Sequence, residues 1–150
     1  MKICFDGIAK DFAFGPDLIF GLQQHLGGPC GVLAVIEAEV LRRLYFSETG
    51  DCVRHDLASV TAALVEDALL SALLEVFVRV APKGNPRFSI VFLESFQNLE
   101  LPIGLWNVNN VKIVSFSSLA ALKTGIIDYI SQFKSPAGCL LFLLSIILTK

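Results

Sequence analysis

Histidine is nearly missing from this sequence: the 150 residues hold two, His25 and His55, and none follows. Chemistry that needs an imidazole late in the chain has no residue to use. Charge is scarce as well. Asp, Glu, Lys and Arg make up 17% of the residues and the net charge is −2, which leaves no electrostatic case for a nucleic-acid partner. No basic stripe with interleaved aromatics appears either. Cys4, Cys30, Cys52 and Cys139 are scattered, with no C-x-x-C pair. No two Cys or His residues have the spacing of a ligand pair on one turn, so no metal and no other cofactor is expected. A basic segment followed by an apolar run and a cleavage site is lacking at the start. The cysteines therefore read as reduced thiols in a cytoplasmic or nuclear protein. The longest late apolar run, Cys139 to Leu148, is about half the length of a spanning helix, which argues against a membrane partner. There is no P-loop, no G-x-G-x-x-G after a strand and no G-x-S-x-G elbow. No internal repeat or low-complexity linker is visible.

What is present is apolar. Hydrophobic residues reach 54%, more than an ordinary soluble domain carries. With no spanning segment, this composition reads as one domain whose core belongs to something larger. The length suits one such domain.

One stretch organises the rest: Gln24-His25-Leu26-Gly27-Gly28-Pro29-Cys30-Gly31-Val32-Leu33-Ala34. A glycine turn, a proline, a cysteine and an apolar helix, in that order, present a thiol at a helix N-terminus. Backbone N–H groups lack intrahelical partners there, and the helix dipole favours negative charge. A thiolate is thereby favoured, and the thiolate is the nucleophile. Gln24, six residues earlier, can donate to the oxyanion that such an attack creates, alongside N–H groups of the turn. A lone cysteine among glycines is more often a small buried residue. The upstream glutamine, the flexible turn and the immediate apolar helix together reverse that preference. Carboxylates such as Glu94 and Glu100 are isolated, so Cys30 has no rival as a reactive centre.

These residues also carry a resemblance. Phe12-Ala13-Phe14 through Gly21-Leu22-Gln23-Gln24, followed by Gly27-Gly28-Pro29-Cys30-Gly31-Val32-Leu33-Ala34, resembles the MINDY family of deubiquitinases, in the branch of its third and fourth members. The resemblance runs from about residue 12 to the C-terminus and is strongest over 12–46. It implies an α+β, papain-like cysteine protease fold, with residues 1–150 as the N-terminal, helix-rich, nucleophile-bearing part of a catalytic domain. It further implies isopeptidase activity on polyubiquitin of the linkage that marks proteins for proteasomal degradation, with ubiquitin and polyubiquitin chains as partners. Position by position, Cys30 matches the nucleophile and Gln24 the oxyanion-hole residue. The family's base is a His far downstream of its Cys, and this chain has no such residue. His25 lies on the wrong side of the motif and reads as a solvent-exposed loop residue. A truncated enzyme and a non-catalytic ubiquitin-binding or scaffold module are both compatible with that departure. The end of the chain beside an apolar helix favours truncation.

Along the chain, Met1 to Lys10 is weakly patterned. Phe12, Phe14, Leu18, Ile19 and Phe20, broken by Gly15-Pro16-Asp17, suggest an extended lead-in packing its aromatics beneath the helix that starts at Cys30. Gly31 to Phe46 reads as that central helix, apolar all round its first turns and so buried, with Glu39 and Arg43 spaced for an i,i+4 pair. Ser47 to His55 reads as a loop. Asp56 is placed to cap a helix carrying Leu57, Val60, Leu64, Leu69 and Leu73 to about Glu75. That role is a better account of His55-Asp56 than a catalytic dyad. Val76 to Val80 is β-branched and aromatic and leaves the helix end open. Pro82 to Pro86 is a turn, Arg87 to Leu93 a strand, and Glu94 to Asn110 an irregular segment containing Trp106. Val111 to Phe116 is a second strand. Ser117 or Ser118 caps a helix to about Phe133. Ser135-Pro136 starts another over Ala137 to Leu148, apolar nearly all round and expected at the centre.

Overall fold

The computed structural model describes residues 12, 14, 21–22, 30–46, 60–94, 110–135 and 137–150, with the backbone alone at Cys30. Their elements run α1 (Cys30–Tyr45), α2 (Ala62–Val80), β1 (Phe88–Leu93), β2 (Val111–Phe116), α3 (Leu119–Phe133) and α4 (Gly138–Leu148). Helices and a small sheet share one core, as an α+β reading requires.

The helix starts follow side-chain chemistry. Thr61 Oγ1 accepts the Leu64 N–H at 3.3 Å, and Ser118 Oγ accepts the Ala121 N–H at 3.2 Å. Both hydroxyls satisfy a donor that the first helical turn leaves over. The start of α2 corrects the expectation that Asp56 caps a helix already begun at Leu57. Val60 and Val65 flank the Thr61 cap and are both buried, the pattern that fixes a chain's entry into a helix. At its other end α2 continues through the β-branched run to Val80. Phe77, fully buried, meets the Phe142 ring edge to face at 5.6 Å. That packing outweighs the local strand propensity.

Phe142 is the hub of the core. Phe12, Phe77 and Phe133 reach it at centroid distances of 5.5, 5.6 and 5.9 Å, all near perpendicular. Such pairs are worth about 0.5–1.5 kcal/mol each beyond their burial. One side chain thus ties the lead-in, α2 and α3 to α4. The lead-in aromatic Phe12 sits on α4, and its N–H donates to the Phe133 carbonyl at 3.3 Å. Phe14 and Leu22 form an antiparallel bridge; Leu18, Ile19 and Phe20 lie outside the described residues, as do Met1 to Lys10, the 47–55 loop and Trp106.

β1 and β2 pair antiparallel with Phe88 opposite Phe116 and Leu93 opposite Val111. The face carrying Phe88, Ile90 and Phe92 is covered by α3, where Phe92 stacks on Tyr129 at 4.4 Å. Gly125 lets α3 approach the sheet: a Cβ there would lie 2.3 Å from the Phe116 ring. The turn before β1 places Gly84 at φ +118°, a conformation that glycine adopts without strain.

The other edge of β1 is closed by side chains. Ser145 Oγ accepts the Val91 N–H at 2.8 Å, Thr149 Oγ1 accepts that of Ser89 at 3.2 Å, and Gln132 Oε1 accepts that of Leu93 at 2.7 Å. Gln132 Nε2 returns a bond to the Leu93 carbonyl at 3.1 Å. Arg87 and Lys150 exchange both backbone hydrogen bonds. α4 therefore lies along β1 where a third strand could have stood. Only one side of α4 is deeply buried, through Gly138, Cys139, Leu141, Phe142 and Ser145, while Ile147 is 70% exposed. The helix is less central than its uniform apolarity suggests. Its start also differs from expectation. Ala137 is the N-cap without a side-chain bond, and Ser135 instead stitches the α3–α4 corner, donating to the Gln132 carbonyl and accepting from Ala137 N–H.

Candidate functional site

Cys30 is the first residue of α1, the position the turn-then-helix pattern predicts. No acidic residue occupies the first turn, and Arg42 and Arg43 lie in the last. Both features suit the helix dipole, with nothing negative near Cys30 in its own first turn to oppose an anion. Gln24, His25, His55 and the glycine turn lie outside the described residues.

The helix is held by its opposite end and one face. Leu33, Ile36, Val40 and Leu44 recur at helical spacing and are buried, pressed toward α2. Expected burial all round the first turns is corrected here: Val35 is 54% exposed and Val32 is half-buried. The first turns of α1 face α4 across a shallow groove. Gly31, Val32, Val35 and Ile36 line one wall, Phe142, Leu143 and Ile146 the other, with Val76 alongside, enclosing about 170 Å³. Sequence reasoning missed this groove. The available signal was an apolar surplus on α1 and α4 beyond what one buried stripe uses.

Nine residues beyond Cys30, Glu39 binds α1 to α2. Arg42 donates to its Oε1 through Nε and Nη2 at 3.0 and 2.6 Å. Arg79 of α2 reaches Oε2 at 3.4 Å and also pairs with Glu75 at 2.9 Å. Arg43 approaches Glu39 at 3.5 Å, the expected i,i+4 pair, and Glu75 of α2 at 3.5 Å. The Glu39 carboxyl titrates below its ordinary 4.5, first because Arg42 hydrogen-bonds it. Burial opposes the shift, and the charges of Arg42, Arg79 and Arg43 reinforce it. The cluster orients α1 on α2, and so fixes the direction in which its N-terminus points.

Among the described residues no group of three or more His, Cys, Asp or Glu side chains is arranged to hold a metal ion. No helix among them is long and apolar enough to cross a membrane.

A family model described as the conserved domain of the deubiquitinating enzymes MINDY-3/4 matches residues 8–150. Similar proteins include ubiquitin carboxyl-terminal hydrolase MINDY-3 of Xenopus tropicalis, 29% identical over 94% of this chain and 36% of its own length. Probable ubiquitin carboxyl-terminal hydrolase MINDY-4 of Mus musculus is 29% identical over 94% of this chain and 20% of its own. The Homo sapiens MINDY-4 is 31% identical over 94% and 19%. The chain thus spans about a third of the length of the MINDY-3 relative and a fifth of the MINDY-4 relatives. No solved structure matches.

Proposed function

Because this chain belongs to the MINDY-3/4 family of deubiquitinating enzymes, we propose that it is the nucleophile-bearing part of a papain-like cysteine isopeptidase acting on polyubiquitin. Residues 1–150 then form the N-terminal portion of its catalytic domain, and the chain type is the one that marks proteins for proteasomal degradation. The observation that carries the reading is Cys30 at the first position of a helix whose first turn is free of acidic residues.

In this mechanism the Cys30 thiolate attacks the isopeptide carbonyl. Negative charge moves onto the carbonyl oxygen, where Gln24 and N–H groups at the helix start donate to it. The C–N bond breaks as the leaving lysine amine takes a proton, and a thioester remains on Cys30. Water then attacks the thioester, releases the ubiquitin carboxylate and restores the thiol. Proton movement needs a general base and acid with a pKa near neutrality. The two histidines in this sequence, His25 before Cys30 and His55 not far beyond it, do not stand where the family resemblance places that group, far downstream of the nucleophile.

The test is labelling with ubiquitin bearing a C-terminal electrophile. One adduct should form per chain, at Cys30, and Cys30→Ala should abolish it. An adduct that survives this replacement, or that maps to Cys4, Cys52 or Cys139, overturns the assignment. Ubiquitin binding without any adduct marks a non-catalytic module instead.

A further inference from the structure

Helices α1 and α2 carry the same charged motif. Glu39 and Arg43 stand one turn apart on α1, Glu75 and Arg79 one turn apart on α2, each pair as Glu-x-x-x-Arg. Within each helix the pair is joined, at 3.5 Å on α1 and 2.9 Å on α2. Between the helices Glu39 meets Arg79 at 3.4 Å and Arg43 meets Glu75 at 3.5 Å. The four groups close a square of alternating sign, and its two crossings set α1 and α2 antiparallel. Exposed ion pairs contribute little to stability. Glu39, though, is only 8% exposed, and a buried carboxylate is costly without its partners. Such a group is best suited to selecting one alignment among several. The aliphatic contacts select less sharply. Leu33, Ile36, Val40 and Leu44 are buried at helical spacing, so a one-turn slide sets each row against the next. The square does distinguish these alignments. Slid one way, Glu39 stands opposite Glu75; slid the other, Arg43 stands opposite Arg79. Arg42 also binds Glu39, but it travels with α1 and does not sense the slide.

We propose that Glu39, Arg43, Glu75 and Arg79 are positioning residues: they set the register of α1 on α2 and, through it, the place of Cys30. The second half of this rests on the reading of Cys30 as the nucleophile; the register does not. Cys30 begins the helix that carries Glu39 and Arg43, so a slide of one turn carries its backbone about 6 Å along the axis. An attacking sulfur must stand within a fraction of that distance of its correct place.

The test inverts the motif on α2 alone, with Glu75→Arg and Arg79→Glu together. Net charge is unchanged and α2 keeps its internal pair in reversed order. At the native register both crossings become like-charged, and a one-turn slide sets Glu39 opposite the new arginine. Register is read as the distance between nitroxides at Ala38→Cys and Asp67→Cys, both exposed positions, with Cys4, Cys30, Cys52 and Cys139 replaced by Ala. Inversion should shorten that distance by about 5 Å, most of the rise of four helical residues. In the chain that keeps its cysteines, inversion should slow labelling of Cys30 by the ubiquitin electrophile by about tenfold or more, with its rate toward iodoacetamide little changed. Gly125→Ala, a destabilising change on α3, should leave both rates as they are. If the inverted chain loses its helical far-UV spectrum, Glu75→Gln with Arg79→Gln decides: the distances should spread toward the shorter value and ubiquitin labelling should slow. A distance that stays at the wild-type value in the folded variant overturns the assigned register role. A shortened distance with unchanged ubiquitin labelling overturns the link to Cys30. A wild-type chain that forms no adduct overturns the nucleophile reading and that link with it, while the nitroxide distance still judges the register.

Discussion

Ser145 shows how much one hydroxyl can hold. Its Oγ donates to the Leu141 carbonyl at 2.7 Å within α4 and accepts the Val91 N–H at 2.8 Å from β1. Both residues are buried, Ser145 fully. Ser145→Ala leaves the Val91 donor without an acceptor, and should cost about 1–3 kcal/mol, read from the urea midpoint. Thr124→Ala removes an exposed hydroxyl that donates only to the Ala120 carbonyl, and should stay within about 0.5 kcal/mol. Glu39 sets an acid limit. Its folded pKa lies below its ordinary 4.5, so folding favours the ionised form. That contribution is complete above pH 4.5 and is lost as pH falls through the depressed folded value. Urea midpoints measured from neutral pH downward should show wild type and Glu39→Gln converging below pH 4.5. A gap that stays constant would mean that Glu39 acts through packing alone. For Gln24 the expectation is kinetic. In an active family member carrying this motif, the matching Gln→Ala change should lower kcat on the order of 100-fold with KM little changed, because its donor acts on charge formed in the transition state. An unchanged kcat would make this glutamine structural.

At the scale of elements, close approaches decide the packing. α4 begins against the end of α3, where a Cβ on Gly138 would sit 1.6 Å from the Phe133 carbonyl oxygen. α3 lies over β2 with Gly125 above the Phe116 ring. These two glycines predict an order. Gly138→Ala meets backbone, which cannot rotate away, and should unfold the α3–α4 corner or shift α4 along β1. Gly125→Ala meets a ring that can turn, and should cost about 1–3 kcal/mol as an overpacked contact. Thermal unfolding of both variants checks the ranking; equal losses would show that the corner relaxes freely. The helix ends were legible where a hydroxyl stood three residues before the N–H it serves, as at Ser118. Asp56 misled because Asp-Leu before an apolar run looks the same in sequence as Thr-Ala does. The winner was the position at which Val60 and Val65 both reach the core.

For the whole molecule, the prediction concerns turnover. The 150-residue chain should react once with a ubiquitin electrophile and hydrolyse polyubiquitin poorly, since His25 precedes Cys30 and no histidine follows His55, where the family resemblance places the base far downstream of the nucleophile. Sustained chain cleavage by this polypeptide would show that the base comes from a residue named here as uninvolved. Much of the molecule was decided locally and so could be read without coordinates. The order of elements, the strand limits at Leu93 and Val111 and the placing of Cys30 at a helix start depend on caps, turns and periodicity within a few neighbouring residues. The motif around Cys30 likewise carried the family, because its chemistry is written in adjacent positions. Three-dimensional packing decided the rest. The closing of β1 by Ser145, Thr149 and Gln132 joins residues far apart in the chain, and nothing local distinguishes those polar groups from solvated ones. Uniformly apolar sequence could not say which side of α1 or α4 is covered, since burial depends on what arrives from elsewhere. Only the assembled core, centred on Phe142, selected Leu33, Ile36 and Val40 for the inside and left Val35 and Ile147 facing water.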